Sequence, residues 1–330
     1  MSERIWNRSL LLTAIAVAII SVASVWVAWQ AAPDLGTRVA SLALLPILAA
    51  AFVSYALRAV RFHYFLTHSG VAIPFRGTIV VQAVGFALSV TPGHIGEVFK
   101  LHLIRERSGT PVVQTAPLLV LDRVTEGGGF LVLAVVSTLL LPALRAQLPA
   151  PVVILLGLAV MLAIGLLGNR WRRHLPATPA WLARNHLWQR VAPHLQHLVH
   201  GLEASFTPGQ IAGGIALTAV ARFADGLVVL FAARLLGLEL ALPVATFILA
   251  VSGLAGGISL LPAGTGAVET TMVGLLVLSG APLANALTIT LLARLATLWL
   301  WVAFGLMVAL VLQVRNTPAN RERFEQVGGE

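Results

Sequence analysis

Residues 9–29, SLLLTAIAVAIISVASVWVAW, run for 21 positions without a charge, and a stretch of that length and polarity has few destinations. About 20 apolar residues are what a helix needs to cross a hydrocarbon core. In that medium every backbone N–H and C=O must be satisfied within its own segment, so such runs become helices. Predominantly apolar runs recur at about 39–57, 116–141, 152–168, 209–236 and 283–313, the second, fourth and fifth of them carrying charges, and the chain reads as an all-α polytopic membrane protein. The charged fraction agrees: it is 11% of 330 residues, against about 25% in an ordinary soluble domain. Arg4 and Arg8 precede the first run, but a signal peptide has an apolar region of only about 7–15 residues, so the run reads as a retained first helix.

Two apolar stretches are interrupted. Residues 77–90 end in SVTPGHIGE (89–97) and residues 244–260 in SLLPAGTGAVE (259–269); both place a serine three before a proline, then two glycines, then a glutamate. Arg58, Arg61 and Arg76 precede the first interruption and Lys100, Arg105 and Arg107 follow it, which puts both flanks on the cytoplasmic side. A half-helix that goes in, breaks at Pro92 and Gly93 and returns satisfies that constraint. Broken backbone of this kind is tolerated at membrane depth only inside protein or beside a water-filled cavity. The second interruption has no basic flank and reads as a hairpin from the outer side. Arg170, Arg172, Arg173, Arg184 and Arg190 mark the longest cytoplasmic segment, whose NHLWQRVAPHLQHLVHGL piece looks like an interfacial amphipathic helix.

The expected architecture is six full transmembrane helices plus two re-entrant helical hairpins, with both termini cytoplasmic. Residues 1–38 form the first span and outer loop, and 39–145 form repeat 1. A connecting helix and basic segment occupy 146–207, repeat 2 occupies 208–315, and the tail is 316–330. The two repeats carry the same landmarks: AVRF (59–62) and VARF (220–223) precede the breaks, and LLVLDRV (118–124) and LTITLLARL (287–295) follow them. Arg61 and Arg222 are 161 apart, Pro92 and Pro262 170, Arg123 and Arg294 171. Because one hairpin opens to each side, the duplication is of inverted topology, the architecture of many secondary transporters.

A half-helix beginning at a glycine-rich break presents unpaired N–H groups and a positive dipole end, which suits an anion such as a lipid phosphate. Pro92, Gly93, His94 and Gly96 at one break, and Pro262, Gly264, Thr265 and Gly266 at the other, are therefore candidate substrate-binding positions. Ionised groups inside spans cost about 2.5–3.5 kcal/mol each at the helix centre and mark pathways or partners. Arg61, Arg123, Arg222 and Arg294 are the candidate headgroup ligands; Asp122 is a further intramembrane charge. Arg61 reads equally as an interfacial anchor. Arg123 with Glu126, and Arg222 with Asp225, stand at i,i+3 and read equally as internal ion pairs. Arg294 has no acidic neighbour in its own helix and must find Glu97, Glu269 or a substrate anion, so it ranks first. Glu97, Glu126, Asp225 and Glu269 are candidates for charge or proton coupling, with helix N-terminus stabilisation the alternative for Glu97 and Glu269.

Other chemistries find little support. There is no cysteine, which excludes disulfides and thiol nucleophiles. His194, His197 and His200 recur every third residue but lack a tetrahedral ligand set, so no metal and no cofactor are expected. The net charge of +9 lies beside spans, as the positive-inside rule requires, and does not point to nucleic acid.

RFHYFL, TPGHIGEVFK, LDRVTE and LPAGTGAVE resemble the motifs of the flippase-like transmembrane family related to the membrane region of lysylphosphatidylglycerol synthase, over about 10–315. The resemblance implies a bacterial inner-membrane protein that translocates lipid. Phe62, His94 and Ala263 stand where that family is expected to carry Trp, a basic residue and Gly. The aminoacyl-transfer domain of the synthase does not follow within the 330 residues, so the expectation is a transporter and not an enzyme. The expected activity is movement of an anionic or phosphate-bearing lipid, aminoacylated or isoprenoid, between leaflets by alternating access at a midplane cavity. Two other readings stand beside it: a membrane-embedded lipid-modifying enzyme using His94 with Glu97, and a scaffold of a lipid-synthesis complex. Expected partners are membrane lipids as substrate and lipid-synthesis enzymes of the same membrane; monomer and dimer both remain open.

Overall fold

A computed structural model describes residues 44–88, 95–141, 207–259 and 261–315. The expected first helix, the 152–168 helix, the amphipathic basic segment with its histidines, the tail, and Pro92, Gly93 and His94 lie outside the described residues.

Every described element is helical. In chain order they are α1 (Leu45–His68), α2 (Phe75–Leu88), α3 (Ile95–Ser108), α4 (Val112–Leu139), α5 (Pro208–Leu235) and α6 (Leu242–Ile258). A 3₁₀ turn (Pro262–Gly264) then precedes α7 (Ala267–Leu278) and α8 (Leu283–Arg294), and a π-helical stretch (Leu295–Trp299) leads into α9 (Leu300–Arg315). By length and composition α1, α5 and the continuous stretch Leu283–Leu312 can cross a membrane. Helix α4 is as long as α5, at 28 residues, but carries Asp122, Arg123 and Glu126.

One boundary differs from expectation. The second helix was to end near 57, with Arg58 and Arg61 in a junction; α1 instead continues to His68 and buries both arginines. Hydropathy counts an arginine as a boundary, but a guanidinium whose charge is met by a carboxylate from another helix can stay inside. The last helix is likewise interrupted, at 295–299, by a π stretch that nothing in the apolar pattern announces.

The order long helix, short helix, short helix, long helix occurs twice, and the punctuation before the last helix of each set repeats with it. Helix α3 ends in Ser108-Gly109-Thr110-Pro111 and α7 in Ser279-Gly280-Ala281-Pro282. Gly109 and Gly280 take φ of +72° and +92°, a region open to glycine without a Cβ penalty. Pro111 and Pro282 then start α4 and α8 with φ/ψ of −58°/143° and −55°/144°.

Packing between the halves is reciprocal. Helix α1 lies against α5, α2 against α9, and α4 against α6. The pairs are tightened by small residues: a Cβ on Gly214 of α5 would stand 2.6 Å from Phe65 of α1, and one on Gly253 of α6 would run into the Phe130 ring of α4. Phe65 and Tyr64, late in α1, meet Gly214 and Gly209, early in α5, whereas Arg58 reaches Asp225 further along. The corresponding helices α1 and α5 therefore run antiparallel. On α4 and α6, Phe130 meets Gly253 and Ser137 bonds Thr246 at 2.8 Å, so these also run antiparallel. One apolar core joins the start of α1 to the end of α5 and to α6, α7 and α8; a second joins the end of α1 to α2, α3, α4 and α9. Between them lies a layer that is not apolar.

Candidate functional site

That layer is built by four helices, each contributing at mid-length or near a close helix contact. Arg58 and Arg61, one turn apart on α1, both face inward. Arg222 and Asp225 occupy the same i,i+3 relation on α5, Asp122 and Glu126 stand at i,i+4 on α4, and Lys100 comes from α3. Gly129 lets α4 approach Thr218 of α5 closely, which brings these side chains within bonding distance.

The charges alternate. Arg58 Nη2 and Arg222 Nη1 both donate to Asp225 Oδ2, at 2.7 and 2.8 Å. Arg222 Nη2 donates to Glu126 Oε1. Glu126 Oε2 lies 3.8 Å from Arg61 Nη2, and that nitrogen donates to Asp122 Oδ1 at 2.6 Å. Asp122 Oδ2 is 3.8 Å from Lys100 Nζ. The sequence of side chains is thus Arg58, Asp225, Arg222, Glu126, Arg61, Asp122, Lys100: four cations and three carboxylates. Both ends rest on aromatic faces, Arg58 over Phe86 at 5.5 Å and Lys100 over Phe62 at 4.2 Å. The Lys100 stem also lies on Gly85, where a Cβ would stand 2.5 Å from its Cγ.

Burial makes this arrangement costly to disturb. An ion pair removed from water is not a large net gain, but deleting one partner leaves an uncompensated buried charge, at about 3–5 kcal/mol. The layer holds one more cation than carboxylate, and the Nε atoms of Arg58, Arg61 and Arg222 are buried without a hydrogen-bond partner. Chemically, such a set can accept an anion with several oxygens, because guanidiniums bind carboxylate and phosphate with the same forked donors.

The second break forms a separate group. Pro262 opens the 3₁₀ turn and Thr265 Oγ1 donates to the Pro262 carbonyl at 2.8 Å. Gly264 lies against Gly256 of α6, where a Cβ would stand 2.9 Å from the Gly256 Cα. Ala263 has φ +52°, ψ +19°, a left-handed conformation in a non-glycine residue. Glu269 ties the group together: its Oε2 accepts from the Gly266 N–H at 2.6 Å and its Oε1 from Arg294 Nε at 2.6 Å. Arg294 Nη2 also donates to the Ala263 carbonyl at 3.0 Å. The partner that Arg294 had to find is therefore Glu269.

The candidate residues fall into two sets. Arg61, Arg222, Glu126 and Asp225 come together, with the more exposed Arg123 at 3.7 Å from Glu126. Arg294, Glu269, Pro262, Gly264, Thr265 and Gly266 form the second set. Phe86 links them, facing Arg58 while packing, as Ala263 and Leu295 do, against the Leu298, Trp299 and Val302 cluster. Gly96 and Glu97 stand in the first turn of α3. In the sequence, Arg58 and Lys100 read as cytoplasmic flanking charges and Asp122 as an intramembrane charge without a binding role. The spacing of Arg58 and Arg61 was the available signal, since two arginines at i,i+3 share one helix face.

Helices of this length and apolarity around a buried layer of ionised side chains define a helical membrane protein with a charged interior. The chain belongs to the family of the lysylphosphatidylglycerol synthase TM region, whose model matches residues 8–305. It is thereby a membrane protein related to lipid metabolism or transport. No curated protein matches the chain.

Proposed function

We propose that this protein is a lipid flippase or transporter that moves an anionic, phosphate-bearing lipid between leaflets, and that it is not an enzyme. The observation that carries the reading is the buried layer of four cations and three carboxylates at the junction of the two halves. An excess cation inside a membrane protein is costly unless an anion visits it. Family membership supports a lipid as the molecule that brings that anion.

In this reading the halves form an inverted repeat, supported by the antiparallel packing of the corresponding helices α1 and α5. Helices α2, α3, α6 and α7, of 14, 14, 17 and 12 residues, are the arms of two re-entrant hairpins, each shorter than the roughly 20 residues of a full span. A headgroup arrives laterally, its phosphate is met by Arg61, Arg222 and Arg123, and rocking of the halves presents it to the other leaflet. Arg294 is assigned to holding the second break, through Glu269 and Ala263, beside the path of the headgroup. The protein sits in a bacterial inner membrane with both termini cytoplasmic, and lipid-synthesis enzymes of that membrane are its expected neighbours.

The test is leaflet exchange of a fluorescent phosphatidylglycerol in proteoliposomes against protein-free vesicles. Exchange above the protein-free rate, reduced in Arg294→Ala, supports the proposal and the place of the second break in it. Exchange equal to protein-free vesicles contradicts transport, and undiminished exchange in Arg294→Ala removes that residue from the machinery.

A further inference from the structure

Glu126 differs from the other carboxylates of the layer. Its side chain is 20% exposed, against 7% for Asp122 and 1% for Asp225, so it is the acid reachable from outside the bundle. Three guanidiniums from three helices converge on it. Arg222 of α5 donates to Oε1, while Arg61 of α1 and Arg123 of α4 lie 3.8 and 3.7 Å from Oε2. Phe130, one turn further along α4, backs Arg222 with its ring 4.4 Å from the guanidinium carbon.

Two of these arginines, Arg61 and Arg222, do not depend on Glu126 for their placement. Arg61 is held by Asp122 at 2.6 Å and by the Thr218 hydroxyl, and Arg222 by Asp225 at 2.8 Å. If the Glu126 carboxylate swung outward, both heads would remain fixed and facing the place it left. A seat already organised around one oxyanion binds another at little reorganisation cost.

We propose that the Glu126 carboxylate is an internal stand-in for the ligand: a phosphate group takes the seat formed by Arg61, Arg123 and Arg222 by displacing it, and its return expels the phosphate. The use of this exchange in a transport cycle rests on the function proposed above, whereas the seat and its occupant do not. Glu126 then competes with the ligand in the resting protein, so neutralising it tightens binding and slows release.

The experiment uses the full chain in maltoside micelles, which contain no phosphate, titrated calorimetrically with short-chain phosphatidylglycerol and separately with inorganic phosphate. Glu126→Gln is expected to bind about tenfold tighter or more, because like-charge juxtaposition costs several kcal/mol. Tightening toward both probes supports a seat that reads the phosphate alone. Tightening toward phosphatidylglycerol only supports one that needs the lipid, and tightening toward inorganic phosphate only supports one filled from water. Unchanged or weaker binding of both overturns the proposal.

Carboxyl footprinting of the wild-type protein with a carbodiimide avoids any folding defect of the variant. Phosphatidylglycerol should raise labelling of Glu126 and leave Asp122 and Asp225 unchanged; a fall or no change at Glu126 overturns the stand-in. Ligand-induced exposure of Glu126 without leaflet exchange in vesicles sinks the transport function and leaves the seat standing. Exchange without that exposure does the reverse.

Discussion

Asp225 is the side chain on which the charged layer most depends, since one of its oxygens accepts from both Arg58 and Arg222 while the residue is nearly sealed from its surroundings. Asp225→Ala should destabilise the protein by about 3–5 kcal/mol, read as a lowered denaturation midpoint in mixed micelles. Ala263 predicts the opposite sign. A left-handed alanine costs about 1–2 kcal/mol, and glycine's greater freedom in the unfolded chain returns about 0.5–1 of that, so Ala263→Gly should stabilise by up to about 1.5 kcal/mol in the same assay. Some of this chemistry was legible in the sequence, and the limits are physical. An arginine in an apolar run announces itself, which is how Arg222 and Arg294 were found. Arg58 and Lys100 sit next to polar or broken sequence and pass for flanking charges. Their partners lie on other helices, Asp225 being 167 residues from Arg58, and no local periodicity encodes such a pairing.

At the scale of elements, the close helix contacts set the position of every charge. Gly305 of α9 lies against the Ala83 carbonyl of α2, leaving no room for a Cβ. Gly305→Val should force the two helices apart and cost about 1–3 kcal/mol, the usual range for overpacking. Because α2 carries Gly85 and Phe86, the same substitution should loosen Lys100 and Arg58. The order of long and short helices was readable from apolar run lengths, and the helix starts and stops from proline and glycine. The extension of α1 to His68 was not, because hydropathy cannot know that Arg61 has Asp122 as a partner. The repeated Ser-Gly-x-Pro stop is the clue within the sequence that would have sharpened the duplication.

For the whole molecule, antiparallel packing of matching helices predicts that equivalent connections face opposite sides of the membrane. The natural absence of cysteine makes this testable without further engineering. His68→Cys, at the end of α1, should react with an impermeant maleimide only from the cytoplasmic side. Glu239→Cys, in the equivalent connection after α5, should react only from the other side, and labelling of both from one side contradicts the inverted repeat. The central claim is that the buried cations carry a lipid phosphate across, and leaflet exchange of fluorescent phosphatidylglycerol in proteoliposomes tests it most directly when wild type is compared with an Arg222→Gln, Glu126→Gln double variant, which removes one charge of each sign. Wild-type protein should exchange the lipid and the double variant should lose at least about tenfold, about 1.4 kcal/mol, because it lacks both the Arg222 guanidinium that meets the phosphate and the Glu126 carboxylate that expels it. Equal exchange by the two proteins would contradict it.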